Sequence, residues 1–220
     1  MLRPAFSHPS AMRRIIWKLY GVKLWLRYFC GKISGRRRQV LKAKKVYFIG
    51  GTMGVGKTSV CQILKRKLDK SVFLDGDWCW DAHPFVVNPE TKEMVMDNIC
   101  HLLNNFIHCP AYEHIIFCWV MHEQAIIDRL LASLDTRACE VKCISLMCTG
   151  DALSERLLRD IRWGIRQADV LERSLHRLPL YEHLKTIKLD VSGIDPETAA
   201  ERILRMQDRA WRERQAQPND

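Results

Sequence analysis

Two short stretches hold residue types whose spacing can do chemistry. "GTMGVGKT", Gly51 to Thr58, satisfies G-x-x-x-x-G-K-[ST]. Glycines at 51, 54 and 56 let the backbone aim its N–H groups inward. A helix N-terminus directly behind them favours bound phosphate. Lys57 adds a full positive charge, and the Thr58 hydroxyl can ligate Mg²⁺. The candidate cradle therefore runs through Gly51, Thr52, Met53, Gly54, Val55, Gly56, Lys57, Thr58 and Ser59. The second stretch, "FLDGDWCW", ends an apolar run with two carboxylates, Asp75 and Asp77, followed by Trp78 and Trp80. Carboxylates beside apolar surface need a partner. Residues two apart on an extended chain point the same way, so both can face the phosphate loop.

These residues need elements to hold them. Val46–Ile49 reads as a buried strand entering the loop, and residues 57–68 as the helix leaving it. Residues 71–74, 115–120, 141–146 and 186–191 read as further strands. Helical patterns separate them: residues 90–109, 123–134 and an Arg-rich stretch over 151–177. Asp195 caps a last helix with Pro196 at its first position. Strands alternating with helices predict an α/β fold in three layers around a five-stranded parallel sheet. The third strand, "IIFCWVMHE", carries no Asp at its end. Trp119 within it reads as core. Asp75 and Asp77 are then the acidic half of any site.

The charge is unevenly placed. Residues 1–45 hold 13 of the 35 Lys and Arg residues and no acid, while the rest of the chain has 22 basic and 25 acidic residues. This sets apart a basic extension, residues 1–44, with helical apolar spacing at Ile15, Leu19, Val22 and Leu26. Such a segment could rest on nucleic acid or an anionic membrane. No apolar run is long enough to span a membrane. The nine cysteines are odd in number and form no C-x-x-C pair. They read as reduced thiols of a cytoplasmic protein.

The phosphate loop, "FLDGDWCW" and the later "RLPLYEHL" together resemble the shikimate kinase and nucleoside monophosphate kinase branch of P-loop kinases. The resemblance covers roughly residues 46–207. It implies a P-loop kinase domain over residues 45–215, with an Arg-bearing lid near residues 157–176 and Gly164 as its hinge. It implies ATP and Mg²⁺, with the γ-phosphate passing to a small-molecule or nucleotide acceptor. Lys57, Asp77 and a lid arginine, Arg162 (or Arg159 or Arg166), would be catalytic. Asp75 would join Thr58 in the metal shell, and Arg156 would stack on adenine. Asp75, Asp77, Trp78 and Arg177 would meet the acceptor. The alternative is an ATP-binding module attached to RNA or membrane by residues 1–44. Two departures set the chain apart from shikimate kinases. "CWVMHE" stands where they carry a Gly-Gly-Gly turn, and tryptophans follow Asp77.

Overall fold

The computed structural model describes residues 43–215, and the expectations for residues 1–42 lie outside them. Five strands form one parallel sheet: β1 (Lys44–Gly50), β2 (Ser71–Asp75), β3 (His114–Cys118), β4 (Cys139–Met147) and β5 (Ile187–Asp190), in the order β2-β3-β1-β4-β5. Alternate residues of each strand face opposite ways, and both directions are apolar, as in a sheet covered on two sides. Tyr47, Ile49, Phe73, Ile116, Ile144 and Leu146 face one layer. Helices α1 (Lys57–Lys67), α4 (Gly150–Arg162), α5 (Val170–Arg177) and α6 (Pro196–Gln215) bring that layer Leu64, Leu157, Val170 and Ala200. Val46, Phe48, Leu74, Ile115 and Phe117 face the other layer. It is built by α2 (Pro89–His108) and α3 (Gln124–Ser133) through Ile99, Leu103 and Leu130. The chain thus has the three-layer α/β architecture expected from its pattern.

Local signals start and stop the helices. Asn88 accepts from Thr91 N–H at 2.7 Å, while Thr91 Oγ1 accepts the Asn88 N–H at 3.0 Å. This reciprocal cap, with Pro89 at the first position, begins α2. Asp195 Oδ1 accepts from Thr198 N–H at 2.7 Å and begins α6. The Arg-rich helical stretch over residues 151–177 divides into two helices at Gly164. Gly164 adopts φ +70°, its N–H donates to Ile161 O at 2.9 Å, and the Ile165 N–H reaches Asp160 O at 2.9 Å. This is a left-handed glycine cap, which satisfies the last carbonyls and ends the helix. Residues 163–169 then form an exposed turn before α5.

The eight described cysteines are unpaired. Among the described residues no helix is long and apolar enough to cross a membrane, and no cluster of metal-ligating side chains occurs.

Leu64 on α1 is fully buried against the sheet. Leu64→Ala should lower unfolding stability by about 2–5 kcal/mol, read from the denaturant midpoint at unchanged slope.

Candidate active site

Parallel strands that share a direction end at one edge, and the order β2-β3-β1 brings three chemically equipped ends together. β1 runs into the glycine loop, β2 stops at Asp75, and β3 stops just before Trp119. The loop is an enforced conformation. Gly51, Gly54 and Gly56 all have positive φ, at 148°, 80° and 107°. Gly54 is also sterically closed: a Cβ there would lie 2.4 Å from Leu157 Cδ2 of α4. Thr52 turns its hydroxyl away from the cleft and donates to Ser174 O of α5 at 3.0 Å, pinning the loop from behind.

Lys57 Nζ donates to Thr52 O at 3.0 Å, so the ammonium is folded over the loop. Desolvation lowers its pKa below the ordinary lysine value, and the nearby Cys118, Asp77 and Asp75 push it back up. Thr58 Oγ1 donates to Asp75 Oδ2 at 2.7 Å, and the Asp77 N–H donates to Asp75 Oδ1 at 3.2 Å. Both oxygens of the buried Asp75 are therefore engaged. Asp77 lies in a single 3₁₀ turn, Gly76–Cys79, at the wall of the cleft. Desolvation raises its carboxyl above the ordinary aspartate value, and Asp75 raises it further. Lys57, the Trp119 indole and Arg166 act the other way.

A cleft of about 460 Å³ joins these groups. Met53 to Val60 form one wall, Asp75 and Asp77 a second, and Arg156, Arg159 and Arg166 a third. Arg156 is a strut: its guanidinium donates to Val55 O at 3.2 Å, Ser192 O at 3.1 Å and Val191 O. It links the loop to the β5–α6 connection, whose Val191, Ile194 and Asp195 complete the cleft. Arg166 is held by Asp160 at 3.1 Å.

Three expected residues lie elsewhere. Arg162 is exposed, and its Nε turns back to Leu158 O at 3.4 Å, outside the cleft lining. Trp78 is 57% exposed and meets Phe73 edge-on, with centroids 5.2 Å apart. Arg177 ends α5 beside His122 and Tyr181. Desolvation and that guanidinium together hold the His122 imidazole below its ordinary value. Tyr181 is fully buried, and its ring backs Gly50 at the mouth of the loop, so it buttresses the cradle.

One residue was misread from the sequence. Trp119 is half-buried, and its indole N–H donates to Asp77 Oδ1 at 3.1 Å. The β5–α6 wall was also missed, because Val191 and Ile194 carry no signal of chemistry in an apolar stretch. Trp119 carried no separate signal, because it continues an apolar run whose residues are buried on both faces of the sheet.

The asymmetry at Gly54 is testable. Gly54→Ala combines an unfavourable φ with a 2.4 Å contact, so it should cost about 1–3 kcal/mol and weaken ATP binding at least tenfold. Gly56→Ala meets no atom within 4 Å and should cost less in both measurements, melting temperature and ATP titration.

Similar folds are found among solved structures. The tunicamycin resistance protein of Deinococcus radiodurans is 23% identical, with a TM-score of 0.56, over 74% of this chain and 95% of that one. A gluconokinase from Sinorhizobium meliloti 1021 is 16% identical, with a TM-score of 0.56, over 78% and 98%. Shikimate kinase from Acinetobacter baumannii, in complex with shikimate, is 19% identical, with a TM-score of 0.51, over 76% and 95%. These likenesses show a shared three-layer α/β fold. No curated protein matches the chain significantly. A family model described as AAA domain matches residues 48–172, more than half of the chain, and the protein belongs to that family.

Proposed function

We propose that this protein is an ATP-dependent phosphotransferase that moves the γ-phosphate of ATP to a small-molecule or nucleotide acceptor. One observation carries the reading: a glycine-loop lysine and a surface carboxylate, Lys57 and Asp77, share one cleft with Arg159 and Arg166. The printed names of structural neighbours, a gluconokinase and a shikimate kinase among them, support the same class of chemistry.

Phosphoryl transfer depends on positioning and on charge balance more than on covalent chemistry. The N–H groups of the loop and of the first turn of α1 would hold the phosphates, and Lys57 would balance charge on the β/γ oxygens. Thr58 and Asp75 fit a metal shell, since a hydroxyl and a carboxylate oxygen stand 2.7 Å apart beside the cradle. Magnesium is held in such sites by one or two protein oxygens with phosphates and water, so no larger cluster is needed. Bound there, Mg²⁺ would neutralise phosphate charge. Asp77 would orient the acceptor hydroxyl and take its proton. Its raised carboxyl pKa suits proton acceptance better than an ordinary aspartate would. Arg166, anchored by Asp160, is our choice for the lid arginine, with Arg159 beside it and Arg156 shaping the base-binding end. Of the expected lid over residues 157–176, the exposed turn at residues 163–169 would close over the cleft and exclude water, since Leu157 and Ser174 hold the cradle. Arg177 and Trp78 remain candidates for binding the more distant parts of the acceptor.

The basic composition of residues 1–45 favours a second reading, in which that arm attaches an ATP-binding module to RNA or to an anionic membrane. Deleting residues 1–44 separates the two. Full phosphotransfer by the shortened chain supports the first reading, and loss of the main activity supports the second. Salt-sensitive RNA retention by the full chain would also support the second.

The direct test is ADP release with MgATP over gluconate, shikimate, uridine and AMP as acceptors. Asp77→Asn should abolish transfer and leave ATP affinity within about threefold. Wild-type turnover in that variant would remove Asp77 from the mechanism.

Arg166→Ala should lower kcat on the order of 10³-fold, as loss of a transition-state arginine does. If Arg162→Ala is the more damaging change, the lid role belongs to Arg162.

A further inference from the structure

We propose that Trp119 positions Asp77 for the acceptor, a role that rests on the phosphotransfer reading above. Trp119 follows the last residue of β3, the strand between β1 and β2. Three contacts fix it. Its backbone N–H donates to Ile49 O of β1 at 3.3 Å. Its ring covers Gly76 so closely that a Cβ there would stand 2.6 Å from Cγ and Cδ1. Its indole N–H donates to Asp77 Oδ1 at 3.1 Å. One residue, through its backbone and its side chain, therefore ties the strand that feeds the phosphate loop to the carboxylate across the cleft.

The indole is the one side-chain hydrogen-bond donor to Asp77 among the described residues. Oδ1 is occupied, and Oδ2 is left without a protein donor at the cleft wall. An aspartate on a surface turn would otherwise sample several rotamers, and each wrong one takes the carboxylate from the acceptor hydroxyl. Displacing a reacting group by about 1 Å can cost on the order of 10²-fold in rate. The indole is a rigid plane, packed on one side against the α2–α3 layer. It holds the carboxylate without adding a charge that would compete for the phosphate. Glycine at 76 is then a requirement of the ring, since any side chain there would displace it.

The test combines a contact measurement, which needs no acceptor, with turnover. In full-length protein labelled at the tryptophan indoles, the Trp119 Nε1–H resonance is identified by its loss in Trp119→Phe. In Asp77→Ala it should move upfield, towards the position of the exposed Trp163. With MgATP and gluconate, shikimate, uridine or AMP, Trp119→Phe should lower kcat on the order of 10²-fold while both KM values stay within about threefold. Gly76→Ala, which drives the ring away by a different route, should give the same split. Replacing the indole N–H by sulfur, with benzothienylalanine at position 119, should do so without loss of ring packing. An indole resonance indifferent to Asp77→Ala, or a wild-type kcat in Trp119→Phe, overturns the proposal. An indole that responds, in a protein that turns over none of these acceptors, overturns the phosphotransfer reading and with it the catalytic part of the proposal.

Discussion

The hydrogen bond between Thr58 and Asp75 organises the site. Asp75 is buried at the end of β2, where a carboxylate survives only with its oxygens satisfied. Thr58, in the first turn of the helix behind the glycine loop, meets one oxygen at 2.7 Å. The Asp77 backbone meets the other at 3.2 Å. One buried carboxylate therefore sets the loop–helix junction and the 3₁₀ turn that presents Asp77. The strand between them, β3, keeps the two far enough apart to leave a cleft.

The walls of that cleft show two ways of making a rigid loop. The glycine loop is fixed by its own backbone and by its neighbours: Leu157 leaves no room above Gly54, Tyr181 packs behind Gly50, and the Thr52 hydroxyl bonds Ser174 O. The β5–α6 connection is fixed from outside, by an Arg156 guanidinium that donates to three carbonyls on two segments. Both devices tie the loops to α4 and α5, the helices on either side of the 163–169 turn. The exposed turn between these helices carries Arg166, which lines the cleft while its neighbours hold the cradle.

Much was legible along the chain. The five strands and the loop–helix junction lie within a few residues of where their apolar runs and glycines place them. This follows because each signal is local: strand alternation, a helix cap, a glycine with positive φ. Gly164 stood out in the same local code as a glycine within charged helical spacing, and the structure shows it as a left-handed helix stop. Arg156, Arg159, Arg162 and Arg166 look alike at spacings of three and four. The direction in which α4 packs separates Arg156 and Arg159 from Arg162, which turns back on its own helix, and the break at Gly164 lets Arg166 line the cleft from the following turn.

By itself, the sequence determined the layer order, the phosphate cradle and the pair of carboxylates, because short-range backbone geometry and apolar periodicity specify them. Tertiary structure decided which side chains meet. The R-x-P-L-Y stretch illustrates this: its tyrosine is a buried prop behind the loop, and its arginine sits beside His122. Trp119 is the clearer instance. An aromatic residue at the end of an apolar strand reads as core, and most of its ring does pack there. Its N–H finds Asp77 because the sheet sets β3 between β1 and β2, and strand order is a long-range property that no window of sequence contains.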